Sequence, residues 1–103
     1  MKTPLALPIK IPIVKLKDFC QRNEIDKLSL FGSVLREDFT PESDVDLLVE
    51  FAKGKTPGLA IVDLQDELSQ MLGREVDLRT PAELSHFFRE RVLSEAVIIY
   101  AKN

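Results

Sequence analysis

Cysteine and histidine are almost missing from this sequence: Cys20 and His86 stand alone among 103 residues. A lone cysteine excludes an internal disulfide, and one Cys with one His cannot assemble a structural zinc site. Any metal this chain binds must therefore be held by oxygen. Long apolar runs are also missing, and none approaches the ~20 residues that span a bilayer. Lys2 is followed by no apolar stretch ending in a small-residue cleavage site. The expectation is a cytoplasmic protein with no membrane attachment. Nor is there an excess of basic charge. The 14 Lys and Arg face 17 Asp and Glu, a net charge of −3. Positive residues are interspersed with acids, which disfavours direct nucleic-acid binding.

What is present suits one folded domain. Hydrophobic residues make up 45% of the chain and charged residues 30%, which excludes a disordered polymer. Pro4, Pro8 and Pro12 deny a helix to residues 1–12, which read as an extended N-terminal arm before a domain over 13–103. Ile13, Leu16, Phe19 and Cys20 recur at helical spacing, and Asn23 is a natural stop. Residues 27–31 alternate as a short strand ended by Gly32-Ser33, with Leu28 and Leu30 on one side and Lys27, Ser29 and Phe31 on the other. One helical turn and a loop follow over 34–43.

The clearest strand covers residues 44–51, with Val45, Leu47, Val49 and Phe51 pointing one way and Asp44, Asp46, Leu48 and Glu50 the other. A helix then presents Ile61, Leu64, Leu68, Met71 and Leu72, with Gly73 as its C-cap. Residues 75–79 form a strand with Val76 and Leu78 inward and Asp77 outward. Thr80-Pro81-Ala82-Glu83 reads as a capping box opening a helix that carries Leu84, Phe87, Phe88 and Val92. Residues 96–100 close the chain as a last strand. The order predicts a single α/β (α+β) domain.

Chemistry concentrates at two places. Asp44 and Asp46, two apart on a strand, leave one face together and repel. A divalent cation removes that cost, and oxygen-only ligands suit Mg²⁺ or Mn²⁺. Asp77 joins the same surface if its strand lies beside that of Asp46, and residues 58–72 are long enough for a parallel crossover. Gly32 lets backbone approach a ligand closely, and the turn after it offers N–H groups to a phosphate. For Ser33 to share a site with Asp44, the first two strands must run antiparallel, in a mixed sheet. A phosphate cradle beside a carboxylate cluster has the parts of metal-assisted phosphoryl-type transfer.

Gly32-Ser33, ten residues, then Asp44-Val45-Asp46 resembles the Gly-Ser-x₁₀-Asp-x-Asp signature of the polymerase-β-type nucleotidyltransferase superfamily. Leu30-Phe31, Leu47-Leu48-Val49 and the Asp77 of Glu75-Val76-Asp77-Leu78 are similar to that family as well. The resemblance runs from Ile13 to Tyr100, and at this length it is to the minimal nucleotidyltransferases. It implies a polymerase-β palm-like fold of three to four strands with helices packed on one face. It also implies two Mg²⁺ ions (Mn²⁺ as a substitute) on Asp44 and Asp46, with Asp77 binding the ion nearer the acceptor and helping to deprotonate it. Gly32 and Ser33 would hold the β- and γ-phosphates of ATP, and Arg36 would contact phosphate or acceptor. Glu37 stands where the family more usually has Gly.

Minimal members are commonly antitoxins that adenylylate a tyrosine of a HEPN-domain ribonuclease toxin, so the resemblance implies AMP transfer from ATP to such a partner. Two other readings compete. One is the catalytic subunit of a two-subunit transferase acting on a small aminoglycoside-like compound. The other is an antitoxin that acts by binding alone. Elsewhere, Cys20 reads as a core side chain, Tyr100 as packed, and His86 as a surface or cap residue. Of the adjacent Phe87 and Phe88, either one contacts a partner or both lie on a broad buried face.

Overall fold

A computed structural model describes residues 9–36, 39–40 and 42–102. The extended-arm expectation therefore lies mostly outside the described residues. Its last part is packed: Ile9 is buried in the core and Ile11 lies against it. Helix α1 (Ile13–Arg22) buries Leu16, Phe19 and Cys20, the stripe its spacing predicts. Ile13 and Val14 are exposed, so the stripe begins one turn later than the sequence pattern. Strand β1 (Ile25–Phe31) leads into a 3₁₀ turn over Gly32–Leu35, and β2 (Val45–Phe51) follows. A 3₁₀ turn over Gly58–Ala60 opens α2 (Ile61–Leu72), which ends on left-handed Gly73 at φ 67°. Then come β3 (Val76–Arg79), a 3₁₀ turn over Pro81–Glu83, α3 (Arg89–Glu95) and β4 (Val97–Ala101).

The four strands form one mixed sheet in the order β3-β2-β1-β4. β1 is antiparallel to both β2 and β4, while β2 and β3 are parallel and joined through α2. The core lies between one sheet face and helices α1 and α2. Leu28, Leu30, Val45, Leu47, Val49, Val76 and Leu78 meet Leu16, Phe19, Leu64 and Leu68 there. Burial pushes the Cys20 thiol up to about 12, which leaves it a protonated apolar side chain. Among the described residues, no helix is long and apolar enough to cross a membrane.

Two sequence expectations need correction. Leu48 and Ser29 point away from that core, yet they are 1% and 2% exposed. β3 and β4 occupy opposite edges of the sheet, so the connection between them must traverse it, and its Pro81–Glu83 turn contacts β2. The second face is therefore not open along its length. The capping box exists, with the Thr80 N–H donating to Glu83 Oε1 at 2.8 Å, but it opens only one 3₁₀ turn. Leu84 is extended, and Ser85 starts a new turn by accepting the Phe87 N–H on its hydroxyl and the Phe88 and Arg89 N–H groups on its carbonyl. Arg89 then binds the Pro81 and Leu84 carbonyls at 2.8 and 2.9 Å, taking acceptors that a continuous helix would use. Phe87 and Phe88 are left exposed, and α3 buries no residue.

β3 has only four residues and lies at an edge, so its outward N–H groups need partners. Helix α2 supplies them. Ser69 Oγ accepts the Val76 N–H at 3.0 Å, and Gln65 Oε1 accepts the Leu78 N–H at 2.9 Å. Gln65→Leu keeps the volume and orphans the Leu78 N–H. A loss of about 1–3 kcal/mol in denaturant unfolding is expected, with faster amide exchange at Leu78. Unchanged stability and exchange would show that the helix does not anchor this strand.

Candidate active site

The register of β2 with β3 pairs Asp46 directly with Asp77, across parallel strands roughly 5 Å apart. On the other side of β2, Asp46 pairs with Phe31, the last residue of β1. The chain turns immediately afterwards at Gly32, where φ is +76°. A Cβ added to Gly32 would collide with Asp46 Oδ2 and lie 3.1 Å from its Cγ. Glycine is thus required there twice, by backbone conformation and by the carboxylate against it. The half-buried Ser33 follows in the same turn, closed by the Arg36 N–H on the Ser33 carbonyl at 2.9 Å.

Asp44 sits one residue before β2 rather than inside it, and it is exposed. Its neighbour Val45 donates its N–H to the Glu75 carbonyl at 2.9 Å, which latches the start of β2 to the start of β3. Arg74 contacts residues upstream of Asp44. Its guanidinium stacks 4.9 Å from the Phe39 ring and reaches the Thr40 carbonyl at 3.3 Å. Glu37 lies outside the described residues.

Electrostatics single out Asp46. Burial first, and then the Asp77 and Asp44 carboxylates, raise its pKa above the ordinary value; Arg79 and Arg36 oppose the rise. The Arg36 guanidinium thus lies near enough to favour the ionised form of Asp46. Asp77 carries a partner that sequence reasoning missed. Arg79 Nε and Nη2 donate to its Oδ1 and Oδ2 at 3.0 and 3.2 Å. The signal was present, because residues two apart on a strand share a face. Among the described residues, no three acidic, His or Cys side chains stand in position to cage an ion. Asp44, Asp46 and Asp77 thus share a neighbourhood without closing around a common point, and Asp77 is turned to Arg79.

The chemistry of this set suits a divalent cation and a phosphate. All donors are hard oxygens, their mutual repulsion raises the cost of ionising the central carboxylate, and a side-chain-free backbone turn adjoins it. A model of the nucleotidyltransferase domain family matches residues 13–99. MJ0435 of Methanocaldococcus jannaschii, provisionally named a protein adenylyltransferase, is 40% identical over 76 residues, 74% of this chain and 81% of its own. Among solved structures, a toxin–antitoxin complex with AMP-PNP superposes with a TM-score of 0.71 at 21% identity, covering 90% of this chain and 76% of that one. A complex of a tri-AMPylated Shewanella oneidensis HEPN toxin with its MNT antitoxin gives 0.62 at 22% identity, covering 87% and 70%. At these identities, the likeness to the two complexes is one of fold.

A carboxylate whose folded pKa is raised stabilises the fold below its unfolded pKa and loses that contribution as pH rises through the folded pKa. Asp46→Asn is therefore expected to raise Tm at pH 7 without divalent ions, by on the order of a few °C. The gain should vanish near pH 3, where both carboxyl forms are protonated. Thermal unfolding of both proteins across that pH range measures it. A variant less stable at pH 7 would contradict the assigned electrostatics.

Proposed function

The chain belongs to the nucleotidyltransferase domain family, and on that premise we propose that it transfers AMP from ATP to a hydroxyl of a partner protein, a tyrosine of a HEPN-type toxin. The observation that carries this reading is the pairing of Asp46 with Asp77, with Gly32 pressed against Asp46. The name of MJ0435 supports a protein as acceptor. The AMPylated toxin bound to a fold of this kind supports the toxin class, and the AMP-PNP complex supports ATP as donor. The site of action is the cytoplasm, where ATP is supplied.

Asp44, Asp46 and Asp77 would hold two Mg²⁺ ions, which supply charge neutralisation to a triphosphate and acidify a hydroxyl. The backbone at Gly32 and the Ser33 hydroxyl bind the β- and γ-phosphates, a role that needs the open turn at Gly32. Arg36 faces the same charge and orients the triphosphate or the acceptor. Asp77, on the exposed side of the pair, takes the proton of the acceptor hydroxyl. The acceptor oxygen forms its bond to the α-phosphorus as the bond to pyrophosphate breaks, and pyrophosphate leaves.

Incubation with ATP, Mg²⁺ and a cognate HEPN-type toxin is expected to add one or more AMP units to that protein, read by intact mass. Asp46→Asn and Asp77→Asn should each slow the addition by about 100-fold or more. A stable complex without added mass would replace catalysis with inhibition by binding alone. Neither mass nor complex would redirect the search to small-molecule acceptors.

A further inference from the structure

Arg79 has no part in the transfer reaction described above, yet it holds the carboxylate that reaction most needs free. Its fork uses both Asp77 oxygens, at 3.0 and 3.2 Å. The two side chains remain 48% and 39% exposed, so solvent reaches both partners of the fork. Arg79 also attracts Asp46, directly beside Asp77 in the sheet. It lies on edge strand β3, two residues beyond Asp77 on the same face, where the chain leaves for the Pro81–Glu83 turn. The Glu83 carboxylate in that turn, whose Oε1 accepts the Thr80 N–H, attracts it as well. One exposed cation thus holds Asp77 directly beside Asp46, with a further carboxylate within range of its charge.

We propose that Arg79 is a built-in counter-cation, a positioning residue that holds Asp77 when no divalent ion is bound and exchanges with the ion that binds there. The inference rests on the carboxylates being the metal site proposed above. An Arg–carboxylate fork is directional and only half-desolvated, so it is strong enough to order Asp77 and weak enough to be displaced. It also limits repulsion between Asp46 and Asp77 when no ion is bound. The exchange makes Arg79 a regulator of ion affinity, separate from any contact with nucleotide.

The test is a Mn²⁺ titration of the full chain without nucleotide, followed by electron paramagnetic resonance. The wild type is compared with Arg79→Gln and Arg79→Lys, both at an exposed position that tolerates exchange without refolding. Arg79→Gln is expected to bind Mn²⁺ at least threefold more tightly, with Arg79→Lys, which keeps the charge and loses the fork, between the two. In a parallel Mg²⁺ titration, the Arg79 Nε–H resonance should shift and lose its protection from solvent exchange as the ion saturates. Wild type and Arg79→Gln binding Mn²⁺ equally, or an unmoved Nε–H signal at saturation, would overturn the exchange while leaving the metal site standing. Absence of Mn²⁺ binding in all three proteins would overturn the metal site and the exchange together.

Discussion

Two carboxylates set opposite each other on adjacent strands repel, so the pairing of Asp46 with Asp77 has to be imposed by the rest of the fold. The imposition begins with α2, whose apolar face buries Leu64 and Leu68 against the sheet and returns the chain for a parallel strand. The same helix turns Gln65 and Ser69 toward β3 and accepts its outward N–H groups. The Val45 N–H on the Glu75 carbonyl fixes where the two strands begin. With that latch in place, a one-residue slip would send Val76 and Leu78 to the wrong face, so hydrophobic burial defends the register that charge opposes. Burial prevails because it acts at several core positions and the repulsion at one pair.

The sheet has two unlike faces, and the difference places the chemistry. One face is sealed by α1 and α2. On the other, the crossing from β3 to β4 accompanies the burial of Leu48 and Ser29, while Asp46 and Asp77 keep access to solvent. Asp46 thereby gains a partly desolvated setting without becoming inaccessible. A fully open face would leave its carboxylate hydrated and weakly coupled to its neighbours, whereas a fully covered face would admit no substrate. Partial cover by the Pro81–Glu83 turn, which contacts β2, gives the intermediate condition.

Much of this was legible in the chain. Alternation in β1 and β2, the stripe of α2 and the Gly73 stop are local signals, and the structure keeps them. The antiparallel pairing follows from requiring Ser33 to share a site with Asp44, and the parallel one from setting the strand of Asp77 beside that of Asp46. What was not legible depends on contacts distant in sequence. Ser29 looks like a polar outward residue until a traversing segment covers it. The helix expected after Thr80 stops because Ser85 and Arg89 compete for backbone groups, a contest that apolar spacing does not record. Arg79 occupied a legible position, but strand alternation could say only that it shared a face with Asp77, not that its fork would close on it.

The unfavourable features of the molecule coincide at one place, and their kinds differ in an informative way. Gly32 adopts a positive φ against a carboxylate, Asp46 is ionisable in a partly desolvated setting, and Asp77 faces it across the sheet. A structural hydrogen-bond network would answer such costs with donors of its own, as Gln65 and Ser69 do for β3. Here the donors present are guanidinium groups at the margin, Arg79 on Asp77 and Arg36 toward Asp46, which offset the charge without filling the space between the acids. Repulsion between carboxylates is relieved fully by a cation between them, and a Cβ-free turn serves a ligand that must come within contact of the backbone. Both remedies suit the ligand proposed above, a metal-bound triphosphate. The electrostatic cost at Asp46 and the glycine turn against it therefore mark this corner of the sheet as arranged for a ligand.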